Sequence, residues 1–216
     1  MEAKKPVLVT LTSPTAAGKS YLFNYIRDVA KLPCLISTTT RRPRANEVEG
    51  VDYYFISEEE SKAIEARNEF AELAIYRGIR YGVTRKEYFE KLSNGIAFLI
   101  VEPSGIEHYA QPAIDSGALH LKFYIHTNPE IRIARFKTRV ANDIWHAMNV
   151  PNDKSKSIAS DQVQKIVAAH FDRFNSMLTE ELDWGTRAQW DRTLFGEQEP
   201  AVNLKIMLDH IAKAQK

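Results

Sequence analysis

The sequence has very little of what secreted and membrane proteins depend on. It contains one cysteine, Cys34, in 216 residues, so no intramolecular disulfide can form, and we expect this thiol to be a small buried hydrophobe. No apolar run approaches the roughly 20 residues that cross a bilayer, and the N-terminus shows no signal-peptide pattern. These absences predict a cytoplasmic protein without a membrane span.

The sequence also lacks an excess of charge of either sign. It has 29 Lys and Arg residues against 28 Asp and Glu residues, a net charge of +1, which gives no general attraction to nucleic acid or to an anionic membrane. It has no aromatic and basic repeat of the kind that binds nucleic acid. Any anionic ligand must therefore be held by local clusters of side chains. The oligomeric state, monomer or homodimer, stays open.

A candidate phosphate-binding loop follows the first predicted strand. The apolar run from Val7 to Leu11 indicates a buried parallel strand, and apolar residues recur at helical spacing after Gly18. The loop from Ser13 to Ser20 can therefore turn backbone N–H groups toward phosphate oxygens at the start of a helix. In such a loop Lys19 neutralises the β- and γ-phosphates of a nucleotide, and the Ser20 hydroxyl ligates Mg²⁺.

The start of this loop departs from the usual pattern, because Ser13 stands where glycine is usual. A Gly-Lys-Ser tripeptide also occurs by chance in ordinary turns, but its position between a buried strand and a helix favours phosphate binding. The phosphates of ATP are therefore expected to contact Ser13, Ala16, Ala17, Gly18, Lys19, Ser20 and Tyr21.

A second basic cluster follows Leu35 to Ser37, which we predict to be the next strand. Three arginines lie in the run from Thr38 to Arg44. Arginine presents a planar fork that matches phosphate oxygens in pairs, so Arg41 and Arg44 can clamp a second phosphate group. The alternative is an ordinary solvated basic loop.

Two further sets of charged residues occupy informative positions. Glu102 ends the most apolar run of the chain, from Ile96, where a carboxylate can steer Mg²⁺ through water or can simply mark the end of the strand. Arg135 and Arg139 lie four residues apart and therefore share one face of a predicted helix that begins near Asn128. A solvated basic helix face is the alternative for these two arginines.

The segment from Ser37 to Ser57, STTTRRPRANEVEGVDYYFIS, resembles the acceptor-binding segment of guanylate kinases. Asn68 to Glu72, NEFAE, and Tyr81-Gly82 resemble two further elements of the same family. The similarity extends over about residues 5 to 213 and is dense through position 105. A phosphate loop followed at this distance by such a segment is far more specific than either feature alone.

The resemblance implies an α/β fold: a three-layer P-loop kinase fold with a parallel central sheet, an inserted nucleoside-monophosphate-binding flap and a lid. We expect one domain over residues 1–216. Its core would comprise about 5–34, 95–136 and 163–213, with the flap at about 35–90 and the lid at about 137–162.

The resemblance also implies a function, the transfer of the γ-phosphoryl group from Mg·ATP to GMP or dGMP. The implied catalytic residues are Lys19, Arg41, Arg135 and Arg139. The implied acceptor-binding residues are Ser37, Arg41, Arg44, Glu47, Tyr53, Glu72, Tyr81, Val83 and Glu102, with Ser37 and Glu72 reading the base. Ser20 would hold Mg²⁺ directly and Glu102 through water. Without the family, Glu72 is one surface carboxylate among many.

Several positions depart from the family pattern. Ser13 and Ala16 replace loop glycines, and Val83 replaces a Ser or Thr that donates a hydrogen bond to guanine. Ile100 replaces an Asp, and Ile166 replaces an arginine, for which Lys165 and Arg173 are nearby substitutes. The stretch from 184 to 200, which would contact adenine, also lacks the family's usual ending. Two alternatives therefore stay open: a kinase of the same fold acting on a different or modified monophosphate, and a non-catalytic binding module.

Overall fold

The structure, a computed structural model, describes residues 4–43, 47–76, 78–148 and 156–216. The strands are β1 Val7–Thr12, β2 Thr38–Thr39, β3 Tyr54–Phe55, β4 Phe70–Tyr76, β5 Ile79–Thr84, β6 Ile96–Ile100, β7 Leu119–His126 and β8 Arg192–Phe195. The α-helices are α1 Lys19–Asn24, α2 Glu58–Ala66, α3 Arg85–Leu92, α4 Pro103–Ile106, α5 Ala110–Asp115, α6 Pro129–Met148, α7 Lys156–Leu178 and α8 Pro200–Ala214.

A parallel sheet with the order β6-β1-β7-β8 forms the centre of the molecule. All six residues of β1 are buried, and successive side chains point to opposite faces of the sheet. Val7, Val9 and Leu11 join a cluster that includes α1 and α8. Leu8 joins a second cluster, which includes α3. Helices on both faces make the three-layer α/β architecture expected from the sequence.

A second, mixed sheet with the order β3-β2-β5-β4 contains the strands between residues 38 and 84. The predicted strand from Leu35 to Ser37 is wrong. Cys34, which is buried as expected, forms an isolated bridge with Phe98 of the central sheet. The Ile36 amide then donates to a carboxylate oxygen of Glu87 at 3.0 Å instead of to a neighbouring strand. Strand pairing resumes at β2, three residues later than predicted.

The helix expected after Gly18 is present but changes its winding. α1 ends at Asn24, and a π-helical segment continues from Tyr25 to Val29, with the Ala30 amide donating to the Tyr25 carbonyl at 3.0 Å. The buried residues of the two segments, Leu22 and Ile26, still pack on the central sheet. The helix therefore begins at the end of the phosphate loop as expected.

Two long helices include much of the predicted lid. α6 continues to Met148 and α7 begins at Lys156, so both ends of the predicted lid are helical. Residues 149–155 lie outside the described residues, and so does Arg44. Within the described part of the chain, no helix is both long and apolar enough to cross a membrane.

Candidate functional site

A cleft of about 850 Å³ extends from the carboxyl end of β1 to the second sheet. It brings together most of the site residues predicted from the sequence. Those that line it are Ser13, Ala16, Ala17, Gly18, Lys19, Ser20, Tyr21, Ser37, Arg41, Tyr53, Glu72, Tyr81, Glu102, Arg135 and Arg139. Arg44 lies outside the described residues. Glu47 does not line the cleft itself but is the partner of Arg41, which does. Val83 does not line the cleft.

The loop between β1 and α1 turns through two left-handed residues. Gly18 has a φ of 100° and Ala16 a φ of 62°, a conformation that costs a non-glycine residue roughly 1 kcal/mol or more. Ser13, where glycine is usual, is buried, and its hydroxyl donates to the Pro14 carbonyl at 3.0 Å. The hydroxyl of Ser13 is therefore satisfied within the loop, and the loop turns without the two glycines that it lacks.

Lys19 and Glu102 meet in the cleft, with Nζ 3.6 Å from Oε1. The Glu102 backbone is extended and caps α4, directly after β6. Its second oxygen, Oε2, is buried and has no hydrogen-bond partner among the described residues. A buried carboxylate oxygen without a donor fits a hydrated cation, because a metal-bound water supplies the missing hydrogen bond. Ser20, at the start of α1, lines the same cleft.

A buried ion pair holds the outer part of the loop. The Glu181 carboxylate accepts hydrogen bonds from both the amide and the hydroxyl of Thr15, at 2.7 and 2.6 Å. Arg132 of α6 donates to Glu181 Oε2 at 2.8 Å and to the Thr15 carbonyl at 3.0 Å. Burial lowers the pKa of Arg132, and Glu181 opposes that shift. The loop is therefore fastened to α6 and to the turn after α7.

No sequence pattern indicated that Thr15, Arg132 and Glu181 would lie together. Thr15 and Glu181 are 166 positions apart, and Arg132 and Glu181 are 49 apart. Neither Arg132 nor Glu181 belongs to a local motif. A single-sequence pattern cannot show which of many charged residues are buried together, so only the fold reveals this contact.

On the acceptor side of the cleft, Arg41 is held in a fixed orientation. Its guanidinium forms a two-pronged ion pair with Glu47 at 2.8 and 2.9 Å and lies over the Tyr53 ring at 5.3 Å. Burial disfavours the charged form of Arg41, but the contacts with Glu47 and Tyr81 together outweigh it, and the pKa is raised. Its Nε is buried and has no hydrogen-bond partner among the described residues. Tyr81 packs edge-on against Tyr53.

Glu72 is a buried carboxylate in this cleft. Its side chain is 7% exposed, and burial raises its pKa. Oε2 accepts a hydrogen bond from Tyr109 at 2.9 Å, and Oε1 lies 3.5 Å from Nδ1 of His108. Glu72 is thus not an ordinary surface carboxylate. Val83, its neighbour across the strand pair, is fully buried in the core, and neither Tyr109 nor His108 was predicted from the sequence.

The arginines of α6 reach the loop from the lid side. Arg135 donates to the Gly196 carbonyl at 3.0 Å, and a Cβ at Gly18 would lie 3.6 Å from its Nη1. Arg139 and Arg173 also line the cleft, whereas Lys165 does not. Of the two substitutes proposed for the arginine missing at position 166, Arg173 is therefore the one that the fold brings to the site.

The chain is similar to proteins of one family. The family model described as guanylate kinase matches residues 4–172. A guanylate kinase of Rickettsia bellii is 31% identical over 145 residues, which cover 66% of this chain and 74% of the relative. A guanylate kinase of Streptomyces kasugaensis is 29% identical over 170 residues, 78% of each chain. The crystal structure of guanylate kinase from Anaplasma phagocytophilum has the same fold, with a TM-score of 0.57 and 19% identity over 100% of this chain and 90% of that one.

Proposed function

Because the chain belongs to the guanylate kinase family, we propose that it transfers the γ-phosphoryl group of ATP to GMP or dGMP, giving ADP and GDP or dGDP. The observation that carries this proposal is one cleft with a phosphate loop at one end and, on the side of the second sheet, the buried carboxylate of Glu72. A carboxylate that accepts two hydrogen bonds matches the N1 and exocyclic amino protons of guanine. Ser37 lines the same cleft and would supply a further polar contact to the base.

The proposed chemistry requires positioning and charge neutralisation but no general base. The acceptor phosphate is already ionised and is itself the nucleophile. Lys19 and the loop amides would hold the donor phosphates, and Arg135 and Arg139 would stabilise the charge that spreads over the transferring group. The acceptor phosphate would be held by Arg41, Arg44, Tyr53 and Tyr81, with Glu47 keeping Arg41 in orientation.

Mg²⁺ is a further part of the proposal. Bound with ATP, it would neutralise charge on the β- and γ-phosphates. The Ser20 hydroxyl would ligate it and Glu102 would hold it through water, in keeping with the unpaired oxygen of that carboxylate. We also propose that the lid, about 137–162, closes over the site to exclude water, that the flap is about 35–90, and that the enzyme acts in the cytoplasm as a monomer or homodimer.

A coupled assay of ADP release tests the proposed function. It uses Mg·ATP with a panel of ribo- and deoxynucleoside monophosphates, including IMP, AMP and modified pyrimidine forms. We expect turnover with GMP or dGMP that is lost in Lys19→Ala. Lys205→Ala, which removes an exposed lysine of α8, is the matched control and should leave turnover unchanged. Turnover only with another monophosphate would favour the alternative acceptor, and no turnover would favour a binding module.

A further inference from the structure

Tyr109 lies at the boundary between the hydrophobic core and the cleft. It ends a short 3₁₀ segment, Glu107–Tyr109, which follows α4. Its side chain is 2% exposed and belongs to the apolar cluster that also contains Leu8 and Tyr88. The hydroxyl is nevertheless directed to Glu72 Oε2, at 2.9 Å. A tyrosine ring fixed in a packed core thus holds one donor against the carboxylate that faces the cleft.

The backbone of β4 contributes to the same arrangement. The pairing of β4 with β5 shifts register between Phe70 and Glu72, as in a β-bulge. Bulges re-aim side chains and occur often beside active sites. Glu72 therefore leaves the regular alternation of the strand at the position where Tyr109 meets it.

The hydroxyl of Tyr109 acts as a donor to Glu72. Burial, together with the neighbouring Glu72 carboxylate, raises the pKa of Tyr109 well above its ordinary value, so its proton is retained. Two groups on the segment after β6 donate to Glu72, the hydroxyl of Tyr109 and the ring of His108, while across the strand pair its partner is the apolar Val83. These two hydrogen bonds favour the ionised form that burial disfavours.

On the basis of the proposed function, we infer that Tyr109 is a positioning residue for base selection, whose hydroxyl orients the Glu72 carboxylate toward the N1 and 2-amino protons of guanine. Oε2 accepts a hydrogen bond from Tyr109 and Oε1 lies 3.5 Å from Nδ1 of His108, and each of these oxygens has a further acceptor site for the ligand. A carboxylate that is free to rotate presents these sites in several directions.

The test is Tyr109→Phe, which removes the hydroxyl and keeps the ring. Tyr88→Phe is the matched control, because Tyr88 lies in the same cluster and is fully buried, but its hydroxyl meets Ser116 at 3.4 Å. The measurement is kcat/KM for GMP and for IMP, which lacks the 2-amino group, together with KM for ATP. In Tyr109→Phe we expect the ratio of kcat/KM for GMP to kcat/KM for IMP to fall about tenfold, the scale of one hydrogen bond to a charged group, while KM for ATP stays unchanged. In Tyr88→Phe we expect the same ratio as in the wild-type protein.

A double-mutant cycle with Glu72→Gln separates positioning from a general loss of stability. If Tyr109 acts through Glu72, Tyr109→Phe has little further effect on the GMP to IMP ratio in the Glu72→Gln background. An unchanged ratio in Tyr109→Phe, or equal effects in both backgrounds, overturns the assignment of Tyr109 and leaves the proposed function intact. Absence of GMP turnover in the wild-type protein overturns the proposed function and this assignment together.

Discussion

The amide and the hydroxyl of Thr15 both donate to one carboxylate, that of Glu181, at 2.7 and 2.6 Å. Since Glu181 is also the partner of Arg132 in a buried ion pair, one side chain connects the phosphate loop with α6. Removing one partner of a buried pair leaves the other charge uncompensated, which costs more than the pair itself contributes.

Glu181→Gln is therefore expected to lower the free energy of unfolding by about 3 kcal/mol and to raise KM for ATP, because Thr15 loses its anchor. Urea denaturation and steady-state kinetics measure the two effects. Glu180→Gln is the control, since Glu180 is exposed and bonds to Ser176. Similar unfolding midpoints for the two variants would show that the ion pair does not stabilise the loop.

Glu102→Gln tests the metal-binding part of the site. The substitution keeps the size of the side chain but replaces one carboxylate oxygen by an amide and removes the negative charge beside Lys19. A neutral amide holds a hydrated cation less well, so we expect the Mg²⁺ concentration for half-maximal turnover to rise by about tenfold, with kcat reduced. A titration of turnover against Mg²⁺ measures the shift. Superimposable Mg²⁺ titrations for the wild-type protein and Glu102→Gln would mean that Glu102 does not hold the metal.

His120 predicts a dependence of stability on pH. Burial, with a smaller contribution from Lys122, lowers the pKa of His120 to about 4 against the opposing effects of Asp191 and Glu107. Its Nε2 lies 3.0 Å from the Thr10 hydroxyl. The unfolded chain has an ordinary histidine pKa of about 6.5, so between these two values it binds more protons than the folded protein. The free energy of unfolding therefore falls as the pH is lowered through this window.

The loss attributable to His120 is roughly 2 kcal/mol at about pH 5 relative to neutral pH. Denaturation curves at the two pH values measure it. His120→Gln cannot titrate and should show a shallower loss of stability on acidification, whereas His126→Gln, at an exposed position, should behave like the wild-type protein. An identical pH dependence in His120→Gln would contradict the assignment.

Local patterns in the sequence predicted the central strand, the phosphate loop and the charged residues Arg41, Glu102, Arg135 and Arg139. The resemblance to a family was needed for Ser37, Tyr53, Glu72 and Tyr81. β1 is mostly apolar and Lys19 follows it at a short distance, so local sequence alone was enough to predict both. The hairpin of β4 and β5 was not predicted as such, because its short strands carry mixed polar and apolar residues. The strand assigned to Leu35–Ser37 was wrong because a side chain, Glu87, satisfies the Ile36 amide.

Contacts between distant parts of the chain could not be predicted. Thr15 and Glu181 are far apart in sequence, as are Glu72 and Tyr109. Both pairs depend on how helices pack on the sheet. For Val83, the predicted contact is the one that the fold does not form. The resemblance predicted it to bind the acceptor, whereas its side chain packs entirely within the core and does not line the cleft.

The most direct measurement follows the phosphate itself. ATP labelled with radioactive phosphorus at its γ-phosphate is incubated with GMP, Mg²⁺ and the wild-type protein, and the products are separated by chromatography. If the phosphoryl group passes between the two ends of the cleft, the label appears in GDP with the wild-type protein and little of it appears in free phosphate. With Lys19→Ala, GDP carries no label. Label that appears only in free phosphate, or stays in ATP, would contradict the account.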